Sequence, residues 1–225
     1  MAGENCRFKK LISIVLAITV LWAVAISVLF FLHLKSERDS KAYESLGIYV
    51  CGVPVCYKNA ADVLGDGTVS YDFGSNMLVL CNATLESDGS AVIFSEKDLT
   101  IVLDGENKLI LNGPVSTAGV YASDFMLRKD VCFMGGGTLS IENGAGASDI
   151  VAAIVADDVW LYSGVSVALS DVAEDSVGIE CDHLYVMEET AVSVKLDSTG
   201  RSNGMKIASS SLLSKLRLYP LMKSS

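Results

Sequence analysis

Proline is scarce in this chain, three in 225 residues, which excludes a Pro-rich stalk or a disordered linker as its main body. Histidine is scarcer still. Of the two, His33 adjoins a long apolar run, so His183 alone could serve a Ser/His/Asp or Cys/His site, and no such arrangement can be built around it. The bland reading of His183 is a solvated turn residue. Basic charge is in the minority: 17 Lys and Arg face 27 Asp and Glu, for a formal net charge of -10. That balance argues against nucleic acid as a partner, because phosphate binding needs a basic face. It suits solubility, cation binding or a polar ligand. Six cysteines, at 6, 51, 56, 81, 132 and 181, follow no known disulfide framework. CGVPVC at 51–56 lacks the C-x-x-C spacing of zinc and redox sites; Cys51 and Cys56 could bridge a tight bend or fill small apolar sites.

What the chain does have, first, is one uncharged run from Leu11 to Leu32, long enough for a helix to cross a bilayer, which takes about 20 residues. Arg7, Lys9 and Lys10 precede it, while the Lys and Arg that follow are mixed with acids. This tight basic flank predicts the N-terminus inside and the C-terminus outside. A cleaved signal peptide is the rival reading, but its apolar core would be about 7–15 residues before a small-residue cleavage site. The run here is longer and exits through Phe30, Phe31 and Leu32. The expected organisation is therefore a cytoplasmic segment 1–10, a membrane helix 11–33 and a linker 34–45. A β-domain at 46–207 and a tail at 208–225 complete it. The tail loses the strand pattern and turns basic, and is either an amphipathic cap or an aberrant end.

Between 46 and 207 apolar and polar residues alternate in short runs. Leu99, Ile101 and Leu103 form one such run, Leu139 and Ile141 another; Val165, Val167 and Leu169, then Val192, Val194 and Leu196, continue the pattern. Period 2 over four to six residues is the mark of a half-buried strand. The runs also recur. AGVYASDFML at 118–127, AAIVADDVWL at 152–161 and VGIECDHLYV at 177–186 share one pattern, with SAVIFSEKDL at 90–99 and NGMKIASSSL at 203–212 as weaker copies. Aligned this way, Ala91, Gly119, Ala153, Gly178 and Gly204 form one column, and Leu109, Leu139, Val165 and Val192 a second. A period in the twenties with strands alone predicts an all-β fold, a single-stranded right-handed parallel β-helix, preceded by one transmembrane α-helix. Leucine-rich repeats lack their ladder here, a propeller blade is too long, and a β-sandwich is the remaining rival.

The stretch NAADVLGDGTVSYDFGSNMLVLCNATL, followed by DLTIVLDGENKLIL and GGGTLSIENG, resembles a bacterial cell-surface family of carbohydrate-binding parallel β-helix domains. The resemblance covers about residues 46–200. It implies a pectate-lyase-like fold and polysaccharide binding, in some members with calcium, and it assigns no ligand residue here.

Two sets of residues are candidates for function. Trp160 and Tyr185 occupy one column of the pattern and should point outward if Val159 and Leu184 point in, where sugar rings could stack, with packing in the core as the alternative; Tyr121 and Tyr162 are further candidates for exposed aromatics. Asp124, Asp157 and Asp182 fall just before a strand in successive copies, with Asp158 beside Asp157, so stacked turns could bring these carboxylates together for calcium. Asp171 with Glu174 and Asp175 is a second acidic cluster, and Glu180 with Asp182 a third. Acidic turn residues also occur simply as punctuation. Arg128 and Lys129, read as following a strand at Phe125–Leu127, are the basic pair a lyase could use, though a solvated loop or strand edge explains them as well. The expected function is a membrane-anchored extracellular module that binds polysaccharide, with membrane lipid met only through the helix. The alternatives are a structural or adhesive surface protein and a polysaccharide lyase or hydrolase.

Overall fold

The computed structural model describes residues 2–89, 91–113, 118–144, 152–162, 166–172, 177–187, 190–196 and 203–207, with backbone alone over 2–17, 38–39, 143, 166–172, 191–196 and 203–207. Val165, Glu174, Asp175 and the tail 208–225 lie outside the described residues. The chain divides into two compact units, Met1–Glu44 and Ser45–Ser225.

In the first unit no proline interrupts the chain, and α1 runs from Ala2 to Ala42. It thus continues through most of the segment expected to be a linker. Lys35, Glu37, Arg38 and Lys41 are good helix formers. His33 and Glu37 also meet at 3.5 Å, one turn apart on an exposed face. From Ile18 to Leu34 the large apolar side chains are exposed on every side of the helix. A helix apolar all round has no soluble face to present, and this one is long and apolar enough to cross a membrane.

The second unit is mostly β-sheet. It opens with β1 (Ile48–Val50), β2 (Val53–Pro54) and β3 (Val69–Asp72). From there strands come in rounds of three. The first is β4 (Met77–Cys81), β5 (Thr84–Ser87) and β6 (Ala91–Ser95); the second is β7 (Leu99–Asp104), β8 (Glu106–Leu111) and β9 (Ala118–Ala122). The third is β10 (Val131–Gly135), β11 (Thr138–Asn143) and β12 (Ala152–Val155). A fourth holds β13 (Asp158–Leu161), β14 (Ser166–Val172) and β15 (Val177–Cys181), and the last β16 (His183–Val186), β17 (Ala191–Leu196) and β18 (Asn203–Ile207). Each member of a round joins a different sheet. Sheet A has the order β18-β15-β12-β9-β6-β1-β2, sheet B β16-β13-β10-β7-β4-β3 and sheet C β17-β14-β11-β8-β5. The rounds pair in parallel, whereas β1–β2, β1–β6 and β3–β4 are antiparallel, so sheets A and B are mixed.

Burial follows the alternation. On sheet B, Leu78, Ile101, Phe133, Leu161 and Val186 stand in register and are buried. Leu99, Val131, Val159 and Leu184 form a parallel column. Burying each such side chain stabilises by about 1.5–3 kcal/mol. One cluster joins these residues to Leu85, Leu109 and Ile141 of sheet C and to Ile93, Val120 and Ile154 of sheet A.

The register keeps Gly119, Ala153, Gly178 and Gly204 in one column and Leu139 with Val192 in another, and corrects Ala91 and Leu109. Gly119 faces Ala153 and Val92, not Ala91, because Ala91 pairs with Ala118. A side chain at 119 would run into Ile141, 2.6 Å away, which explains why small residues follow along this column. Leu109 pairs with Ile141 rather than Leu139, and Val192 with Val167. Leu139 instead pairs with Asn107, a buried amide held by the Ala83 N–H at 3.0 Å and by nearby carbonyls. The expected strand at Phe125–Leu127 is also corrected. Ser123 and Arg128 bridge in antiparallel fashion, and the three apolar residues between them form an exposed turn.

Candidate functional site: the outer faces of sheets A and B

Val131 and Phe133 of β10, Val159 and Leu161 of β13, and Leu184 and Val186 of β16 fill the core, so the residues that alternate with them face out. Thr100, Cys132, Trp160 and Tyr185 therefore stand in one outer column of sheet B. The Trp160 and Tyr185 rings stack on each other, with centroids 3.8 Å apart and planes 13° from parallel. The stack takes one face of each ring, which leaves edges and outer faces for a ligand. Beside it runs a column that sequence reasoning missed. The Asp130 N–H donates to Asp98 Oδ1 at 3.0 Å, the Asp158 N–H donates to Asp130 Oδ1 at 3.1 Å, and His183 Nδ1 lies 2.7 Å from Asp158 Oδ1. His183 is thus a half-buried strand residue paired with an acid, not a solvated turn. Burial, then the charges of Asp98, Asp158 and Asp157, push the Asp130 carboxyl above its ordinary value.

The four proposed calcium ligands separate. Asp157 and Asp182 are neighbours, since the Asp182 N–H donates to the Asp157 carbonyl at 2.7 Å. Asp124 is not in that column; Lys129 takes its place, its carbonyl accepting from the Asp157 N–H at 2.9 Å. The four-residue turn after β9 displaces Asp124. Its carboxylate accepts from the Met126 and Leu127 N–H groups and pairs with Lys129 Nζ at 2.6 Å. That lysine contact, with the two amides, draws the carboxyl down to about 2. Asp158 is engaged by His183. Among the described residues no group of three or more His, Cys, Asp or Glu is arranged to hold a metal. Arg128 binds Glu180 at 2.7 Å, and that hydrogen bond raises its already high pKa. A lyase base needs the opposite shift. Cys51, Cys56, Cys81, Cys132 and Cys181 are free thiols, and burial pushes Cys181 up to about 12.

Sheet A carries the stronger feature. Tyr49, Phe94 and Tyr121 are consecutive in register on its outer face. Tyr49–Phe94 and Phe94–Tyr121 ring centroids are each 5.9 Å apart. At the Tyr49 end lies an open groove of about 410 Å³, lined by Tyr49 and Phe94 with Asp88, Glu96, Ser87 and Cys51 among its walls. Of this column only Tyr121 was evident from sequence. Phe94 was hidden because its copy of the pattern had been aligned one residue off, and Tyr49 because β1 runs antiparallel to the rest. No family model, curated protein or solved structure matches the chain.

Proposed function

We propose that the chain is a single-pass membrane protein whose residues 46–207 form a right-handed parallel β-helix that binds polysaccharide outside the cytoplasm. The rotation of strands among three sheets, each round pairing in parallel on the last, supports the solenoid. Crossovers between parallel strands are right-handed in about 98% of cases. Antiparallel β1, β2 and β3 would cap its first round, as solenoid ends require. The exposed apolar helix supports a membrane span, and the Arg7, Lys9 and Lys10 flank supports an external C-terminal unit. The resemblance to carbohydrate-binding surface domains points the same way.

The observation that carries the binding reading is the outward aromatic column Tyr49–Phe94–Tyr121 with its groove. A row of rings along a sheet, flanked by acceptor oxygens, suits a flat polar chain with apolar ring faces, and small-ligand clefts combine apolar lining with a few polar groups in this way. Trp160 and Tyr185 offer a second aromatic strip. Calcium assistance, in this reading, is confined to Asp157 and Asp182, neither of which is in an ion pair among the described residues. A second reading, an adhesive surface protein, is favoured by the exposed Phe125–Leu127 turn. The test is the full-length protein in detergent on a polysaccharide panel, with calcium and with chelator. Retention by at least one polysaccharide, reduced by Phe94→Ala, is expected. A panel blank in both conditions overturns glycan binding and leaves the adhesive reading.

A further inference from the structure

The charge pattern of the sheet A groove narrows the ligand class. Tyr49 and Phe94 are tilted 45° to each other beneath it, and Asp88 and Glu96 contribute two carboxylates. None of its lining residues is basic, and neither carboxylate is in an ion pair among the described residues. Three acids elsewhere on this unit take a cation from the chain itself, Glu142 from Lys108 at 2.6 Å, Asp124 from Lys129 and Glu180 from Arg128, whereas Asp157 and Asp182 do not. The groove withholds that partner. Aromatic rings present a negative face that attracts an ammonium group, and two carboxylates beside them add direct attraction. An anionic sugar would be repelled. A neutral one would stack but would leave two carboxylates partly desolvated with no opposite charge.

We infer that this groove binds a protonated amine presented by an amino-sugar unit, an assignment that rests on the polysaccharide reading above. The amine supplies the positive charge, so this contact does not depend on calcium. Its volume lies within the range of small-ligand clefts, enough for a sugar unit rather than for a folded partner.

The experiment titrates full-length protein in detergent with three oligosaccharides of equal length: glucosamine oligomers with free amines, their N-acetylated counterparts and oligogalacturonate. The free-amine form should bind at least about tenfold more tightly than the acetylated one, and the acidic form should not bind. Asp88→Asn combined with Glu96→Gln should erase that preference while the melting temperature stays within a few degrees. Equal affinity for free and acetylated oligomers, lost in Phe94→Ala, would overturn the amine assignment and leave polysaccharide binding standing. A preference that survives the double replacement would overturn this site. Binding of oligolysine with no oligosaccharide bound would overturn both readings and make the groove a site for basic peptide.

Discussion

Asp130 stands in a line of acids, its neighbours Asp98 and Asp158 each joined to it by a backbone N–H. Its carboxyl is pushed up by burial and by those charges, so the folded chain holds that proton more tightly than the unfolded one. Folding stability from this group is therefore gained as pH falls through the raised value and is absent at neutral pH. Asp130→Asn keeps the acceptor for the Asp158 N–H and removes the repulsion. It should raise stability at pH 7 slightly, with the gain vanishing once the pH falls below the ordinary aspartate range. A variant less stable than wild type at pH 7 in urea melts would show that the carboxylate is needed there. Residue 141 poses the opposite case. Ile141 is buried on β11, while Ser140 faces out opposite Lys108. Ile141→Asp leaves a charge in the core without a partner and should cost about 3–5 kcal/mol. Ser140→Asp should stay within about 0.5 kcal/mol of wild type. Denaturant midpoints for both variants measure the difference, and equal tolerance would mean the inward register is misplaced.

At the level of elements, the turn between β9 and β10 is the feature that alternation alone could not reveal. Phe125, Met126 and Leu127 are apolar as a strand would be, yet all three are exposed, because Asp124 caps the Met126 and Leu127 amides and Lys129 closes the base. Replacing the three with serine should leave the melting temperature almost unchanged, since folding buries little of their area; a clear loss of stability by calorimetry would mean the tip packs against something. The strands themselves were legible, because period 2 survives in Leu99–Leu103 and Leu139–Ile141. Their register was not. A slip of two keeps every inward residue inward, so Leu109 with Leu139 read as well as the observed Leu109 with Ile141. The helix end escaped for another reason: apolarity stops at Leu34, but helix propensity carries α1 on to Ala42. The outward Trp160–Tyr185 pair was evident from the pattern of copies. The Asp98–Asp130–Asp158 line was not, because those acids come together only once parallel strands are stacked.

For the whole molecule, the questions are whether α1 crosses a membrane and, if it does, which side receives Ser45–Ser225. A helix with its large apolar residues exposed from Ile18 to Leu34 has a strong reason to leave water. Only the flanks decide direction. Arg7, Lys9 and Lys10 abut the apolar run, while Lys35, Arg38 and Lys41 are spread among Glu37, Asp39 and Glu44. Clustered Lys and Arg close to the span favour the cytoplasmic side. A β-domain with a net negative charge meets no such retention. The expected result has two parts. The full-length protein should sediment with membranes and resist extraction by high salt and alkaline carbonate, yielding to detergent, because its attachment is apolar burial rather than charge. Protease added to intact cells should then remove an epitope placed after Ser225 and spare one placed before Met1. Release of the protein by carbonate would overturn the span itself. Protection of the C-terminal epitope, with cleavage appearing only after the cells are opened, would reverse the orientation and place the aromatic groove of sheet A in the cytoplasm, out of reach of any surface polysaccharide.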